Sequence, residues 1–116
     1  MKETKSLGRM QIAIIALTLL TALIHLALAF PSFGDYPVFA VLFLLNGIGY
    51  LALVAGLYFV PALAARRPLI RWALIGFTAV TIVAYLALNV GEYSALGLAD
   101  KAIEAVLILL LLRDRW

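Results

Sequence analysis

The sequence predicts an all-α polytopic membrane protein, a four-transmembrane-helix bundle that occupies residues 1–116 as a single domain. Three observations predict it. Of the 116 residues, 66% are hydrophobic and 13% are charged, whereas a soluble domain is about 45–50% apolar and about 25% charged. The apolar residues fall in four segments, each near the ~20 residues that a helix needs to cross a bilayer. The basic residues collect at the ends of those segments on one side of a four-span arrangement. A soluble fold this short could not hide so much apolar surface, because small domains keep a large surface fraction.

The first span covers about 10–30 and is followed by "FPSFGDYP", whose two prolines and glycine predict a helix-breaking turn. The second covers about 38–60 and stops at Pro61. The third covers about 69–90 and the fourth about 95–112. "KETKSLGR", the apolar stretch after it and Ala27-Leu28-Ala29 have the outline of a signal peptide. The apolar stretch is long for that purpose, so a retained first span is expected.

Loop charge sets the expected direction. Lys2, Lys5 and Arg9 precede span one, Arg66, Arg67 and Arg71 lie between spans two and three, and Arg113 and Arg115 follow span four. Lys101 alone falls on the other side, where Asp35, Glu92, Asp100 and Glu104 also lie. The positive-inside rule then places both termini in the cytoplasm of a prokaryotic cell, with the protein in its cytoplasmic membrane. Trp72, Tyr58 and Trp116 fit an inner aromatic belt, and Tyr36 and Tyr93 an outer one. Because the basic residues follow topology, the formal charge of +3 does not point to nucleic acid. There are no cysteines, which excludes disulfides, thiolate nucleophiles and iron–sulfur ligation.

Polar residues inside spans are costly and face the bundle interior. With ~1.5 Å rise per residue, His25 lies about 24 Å above Arg9, while Asn46 and Glu104 lie near mid-depth. The polar residues recur at helical spacing: Thr18, Thr21 and His25; Asn46, Gly49 and Tyr50; Thr78, Thr81, Tyr85, Asn89 and Glu92; and Gly97, Asp100, Lys101 and Glu104. The ionisable members crowd the outer half. The expectation is a polar pocket opening outward above a dry, apolar inner half. Its candidate ligand-binding residues are His25, Asn46, Tyr50, Tyr85, Asp100, Lys101 and Glu104. The bland alternatives are that the threonines bond their own helix backbone, that Asn46 is interhelical glue, that Asp100 begins helix four beside its N-terminal dipole with Lys101 reaching up to the headgroups, and that Glu104 belongs to a structural ion pair with Lys101.

"TLLTALIHLALA" from Thr18 and "TAVTIVAYLALN" from Thr78 match at both threonines, at His25 against Tyr85, and through "LAL". Span two fits span four with Asn46 on Asp100 and Tyr50 on Glu104. This suggests two repeated hairpins, related by an axis along the membrane normal, with a site at their interface.

"LIHLALA", "LFLLNGIGYLALVAGLYF" and "SALGLADKAIEAVLILLLL" together resemble an uncharacterised family of small four-span membrane proteins of haloarchaea and some bacteria. His25, Leu26, Gly47, Gly97, Asp100 and Lys101 fit its pattern. The resemblance implies the fold and brings no activity with it.

Function follows only in outline. A non-catalytic structural or accessory subunit is expected, packed against itself or other membrane subunits, with Gly49, Ala52 and Gly56 as a small-residue face. The alternative is a ligand-binding or proton-linked protein whose outer pocket takes a quinone, a metal ion or a small polar solute. No catalytic residues are expected: Ser6, Ser32 and Ser94 lie at or outside the interfaces, and there is neither a metalloprotease motif nor a phosphate loop. His25 is the only histidine, which excludes bis-histidine haem within one chain. No resident metal and no particular cofactor is implied.

Overall fold

A computed structural model describes residues 6–116. Lys2 and Lys5, which enter the charge argument, lie outside the described residues. The chain is all-α: α1 (Arg9–Asp35), α2 (Pro37–Tyr58), α3 (Arg67–Leu88) and α4 (Ala95–Arg113), with a 3-10 helix at Pro61–Arg66 between α2 and α3. No strand occurs among the described residues.

Local chemistry sets most of the ends. Gly8 donates its N–H to Oε1 of Gln11 at 2.9 Å, closing the first turn of α1. The turn expected at "FPSFGDYP" is much shorter than its composition suggests, because α1 continues through Pro31 to Asp35. Proline there removes a single N–H donor near the helix end, and the Ser32 hydroxyl donates to the Leu28 carbonyl at 2.8 Å. Reversal is left to Tyr36 (φ −134°, ψ 72°). A residue before proline is biased away from the α region, and Pro37 is suited to the first turn of α2. Gly91, at φ 81°, makes the turn after α3. The Ser94 hydroxyl then caps α4 by accepting from the Gly97 N–H at 2.9 Å.

The helices form a ring in which α1 touches α2 and α4, and α3 touches the same two. Gly47 allows the closest approach of α1 and α2. A methyl group there would sit 2.6 Å from Cγ of Leu26 and 3.0 Å from the Ala22 carbonyl. Gly49 admits the Phe77 ring in the same way, and Gly56 faces Leu63 and Ile70. Most of the small-residue face expected to meet a partner is therefore filled by this chain's own side chains; Ala52 stays exposed.

The half of the bundle nearer the termini is built on Ile14, Val54, Leu57, Leu74, Leu107 and Leu111, all buried. That half was expected to be purely apolar, and its rim is not. Asp114 is 4% exposed and accepts from Nε2 of Gln11 at 2.8 Å and from the Tyr58 hydroxyl at 2.7 Å. Tyr58, expected in the inner aromatic belt, is thus buried with its hydroxyl turned to Asp114. Three helical stretches (α1, α2 and Pro61–Leu88) are long and apolar enough to cross a membrane; α4 carries three charges in its first three turns. Large apolar side chains such as Leu23, Val38, Val80, Val83 and Leu109 cover the outside.

Candidate functional site

Away from the terminal end, the ring closes on a cluster of charged and polar side chains. Periodicity explains how α4 presents them: Asp100, Lys101 and Glu104 are offset by one, three and four residues, so all lie on one helix face. That face is buried, with Glu104 at 0%, Asp100 at 3% and Lys101 at 8% exposure. Burying charge costs several kcal/mol per ion unless it is paired and hydrogen-bonded. Each charge here is paired. The Lys101 ammonium contacts a Glu104 oxygen, Oε1, and lies 3.1 Å from Oδ2 of Asp100. It also lies 5.2 Å from the centre of the Tyr85 ring, within cation–π reach.

The neighbouring helices supply the remaining partners. From α2, the Tyr50 hydroxyl donates to Oε2 of Glu104 at 2.6 Å. From α1, the Thr21 hydroxyl lies 2.7 Å from Oδ1 of Asp100 and 3.0 Å from Oε2 of Glu104. It has one proton and therefore serves one carboxylate at a time. Thr18, Thr78 and Thr81 bond their own helix backbone, to Ile14, Leu74 and Phe77, and Thr21 is the exception.

His25 completes the cluster. Its Nδ1 lies 2.7 Å from the Thr21 carbonyl, and a carbonyl only accepts, so Nδ1 carries a proton. A neutral ring then has a bare lone pair on Nε2. That atom lies 3.7 Å from Oδ2 of Asp100, so two acceptors face one another unless a second proton stands on either. Formal charge agrees. Asp100 and Glu104 carry two negative charges and Lys101 one positive charge, which leaves the cluster one proton short of neutrality.

Five of the seven expected site residues come together directly: His25, Tyr50, Asp100, Lys101 and Glu104. Tyr85 lies at their edge, its ring beside Lys101 and its hydroxyl accepting from the Ser94 N–H at 3.2 Å. Asn46 does not join. Its amide donates to the Thr81 hydroxyl at 2.8 Å, facing α3 where α4 was expected. The cluster is buried, with His25, Tyr50, Asp100, Lys101 and Glu104 each at most 8% exposed, where a pocket opening outward was expected. Ligand atoms of His25, Asp100 and Glu104 lie within 4.8 Å of one another, but the Lys101 ammonium already serves both carboxylates.

Sequence reasoning missed Thr21 as a partner of the acids and missed the Gln11–Tyr58–Asp114 group. Gln11 carried a signal, being the first polar side chain inside an otherwise apolar run.

Fold and site together define a small all-α protein with three helices fit to cross a membrane and a closed, charge-paired cluster between them. The chain belongs to the family of unknown function DUF7475, whose model matches residues 2–113. No curated protein and no solved structure matches it.

Proposed function

We propose that this is a non-catalytic, multi-pass protein of the prokaryotic cytoplasmic membrane, with both termini cytoplasmic, whose buried cluster binds and releases one proton. The observation that carries the reading is the approach of Nε2 of His25 to Oδ2 of Asp100 at 3.7 Å, with Nδ1 already committed to the Thr21 carbonyl. A buried ion pair is a poor stabiliser compared with well-packed apolar residues, and intramembrane charge usually marks a functional site. A proton taken up or released by the group of His25, Asp100 and Glu104 changes the net charge of the bundle interior by one, with Lys101 as the countercharge. Membrane insertion is supported by the three apolar helical stretches, and orientation by the side on which the basic residues fall.

The repeat reading gains support from the hydrogen bonds. Thr21 of α1 meets Asp100 of α4, and Thr81 of α3 meets Asn46 of α2. Matching the two hairpins pairs Thr21 with Thr81 and Asp100 with Asn46, so the two contacts are equivalent. Tyr50 and Glu104, also matched, meet each other between the hairpins. On this view one hairpin kept an amide where the other carries the acid.

The test uses the single histidine. In nanodiscs, a protein labelled with 15N-histidine reports the two ring nitrogens of a single imidazole, and their shifts should change together with one midpoint as pH is varied. The midpoint should move in Asp100→Asn and again in Glu104→Gln. A ring signal indifferent to pH, in folded protein, sinks the reading.

A second reading, an accessory or self-associating subunit, is favoured by an apolar concavity of about 310 Å³ on α3, lined by Ala79, Val80, Val83 and Ala84. Small residues allow close helix approach. Native mass spectrometry from nanodiscs should then show a fixed stoichiometry that Ala84→Leu disrupts; a monomer throughout removes this reading and leaves the first intact.

A further inference from the structure

The terminal end of the bundle carries a second site. A cavity of about 210 Å³ opens there, lined among others by Tyr58, Arg67, Arg71, Asp114, Arg115 and Trp116. Arg67 and Arg71 are four residues apart on α3 and so share a face. Each is held by a neutral partner: Nε of Arg67 donates to the Leu57 carbonyl at 3.0 Å, and an Nη of Arg71 donates to the Leu111 carbonyl at 2.9 Å. The Arg67 guanidinium also stacks 4.3 Å from the centre of the Trp116 ring. These contacts fix the orientation of the guanidinium groups without neutralising them.

The one side-chain carboxylate in the lining does not neutralise them either. Asp114 is committed to Gln11, Tyr58 and the Trp116 N–H, and no side-chain carboxylate of the described residues forms an ion pair with Arg67, Arg71 or Arg115. Among the lining side chains, three arginines against one aspartate give a formal charge of +2. A guanidinium has five N–H donors in a planar fork that matches two oxygens of a phosphate.

We propose that this cavity binds a phosphate group, held by Arg67 and Arg71 with Arg115 closing over it. Two sources share that chemistry: the headgroup of an anionic phospholipid, and free inorganic phosphate. The lipid source draws on the membrane reading above, because basic pockets between helices at the cytoplasmic face are suited to anionic headgroups. The phosphate chemistry does not depend on that reading.

The test is retention of dioleoylphosphatidylglycerol by native mass spectrometry, with dioleoylphosphatidylcholine as the zwitterionic control. A parallel titration follows Trp fluorescence with inorganic phosphate. The wild-type protein should retain the anionic lipid over the zwitterionic one. Arg67→Gln and Arg71→Gln should each weaken retention about tenfold, the weight of one charge-assisted hydrogen bond. Arg113→Gln removes the same charge outside the cavity and should change little. Where Arg71→Gln fails to fold, Arg67→Lys serves, since it keeps the charge and loses the fork. A response to inorganic phosphate that needs Arg67 and Arg71 supports the site with a soluble ligand; a response to the lipid alone supports the headgroup. Equal retention of both lipids without a phosphate response overturns the proposal. So does an Arg113→Gln effect as large as that of Arg71→Gln, which would mean diffuse surface charge. None of these outcomes bears on the His25 titration, so the two proposals fail separately.

Discussion

Lys101→Met should be among the most damaging single substitutions in this chain, lowering stability by about 3–5 kcal/mol, the usual cost of removing one partner from a buried ion pair. The methionine fills similar space, so the loss comes from charge and not from a cavity. With the ammonium gone, Asp100 and Glu104 remain buried with only the Tyr50 and Thr21 hydroxyls and His25 as polar neighbours. Two carboxylates sharing one apolar site repel each other. Adding Glu104→Gln to Lys101→Met should recover a large part of the loss, because the amide removes one of the two uncompensated charges. The measurement is the unfolding midpoint in detergent micelles for wild type, both single variants and the double. A double variant no more stable than Lys101→Met would show that Lys101 acts by packing.

Gly47→Val should cost about 3 kcal/mol, at the upper end of the usual overpacking penalty. Any Cβ at this position meets the Leu26 side chain at 2.6 Å and the Ala22 carbonyl at 3.0 Å. The leucine can turn away, but the carbonyl belongs to the backbone of α1 and cannot. Gly47→Ala is the informative comparison. Alanine gains about 1 kcal/mol of helix propensity over glycine, which offsets part of the clash, so a loss near 1 kcal/mol or less is expected. Valine brings two further methyl groups against the same backbone and has no comparable gain. A combined Leu26→Ala and Gly47→Ala variant should show coupling between the sites. Additive behaviour would mean that α1 and α2 separate rather than repack. Because α1 carries Thr21 and His25, and α2 carries Tyr50, a separation here should also disturb the cluster, visible as a change in the His25 ring signal.

The sequence by itself determined the composition of the elements. Four apolar stretches, the turn residues and the stripes at helical spacing are local properties, so the four helices and the buried face of α4 could be read directly. Asp100, Lys101 and Glu104 had to face inward because three charges within five residues are intolerable on an apolar outer surface. Periodicity fixes the face of a helix, however, and not the neighbour that the face meets. That depends on the order of helices around the ring, on their relative rotation and on the close approach allowed at Gly47. Tertiary structure alone decided that Thr21 turns from its own backbone to Asp100, since its hydroxyl has a stronger acceptor within reach. It also sent Asn46 to Thr81, because in the ring α2 lies beside α3 and diagonally across from α4. Pro31 was misread for a related reason: the loss of one N–H near a helix end is small, and packing carried α1 past it. The rim group of Gln11, Tyr58 and Asp114 was hidden for the same physical reason. Its members lie up to 103 positions apart, and nothing local in the chain records a meeting that only the folded bundle creates.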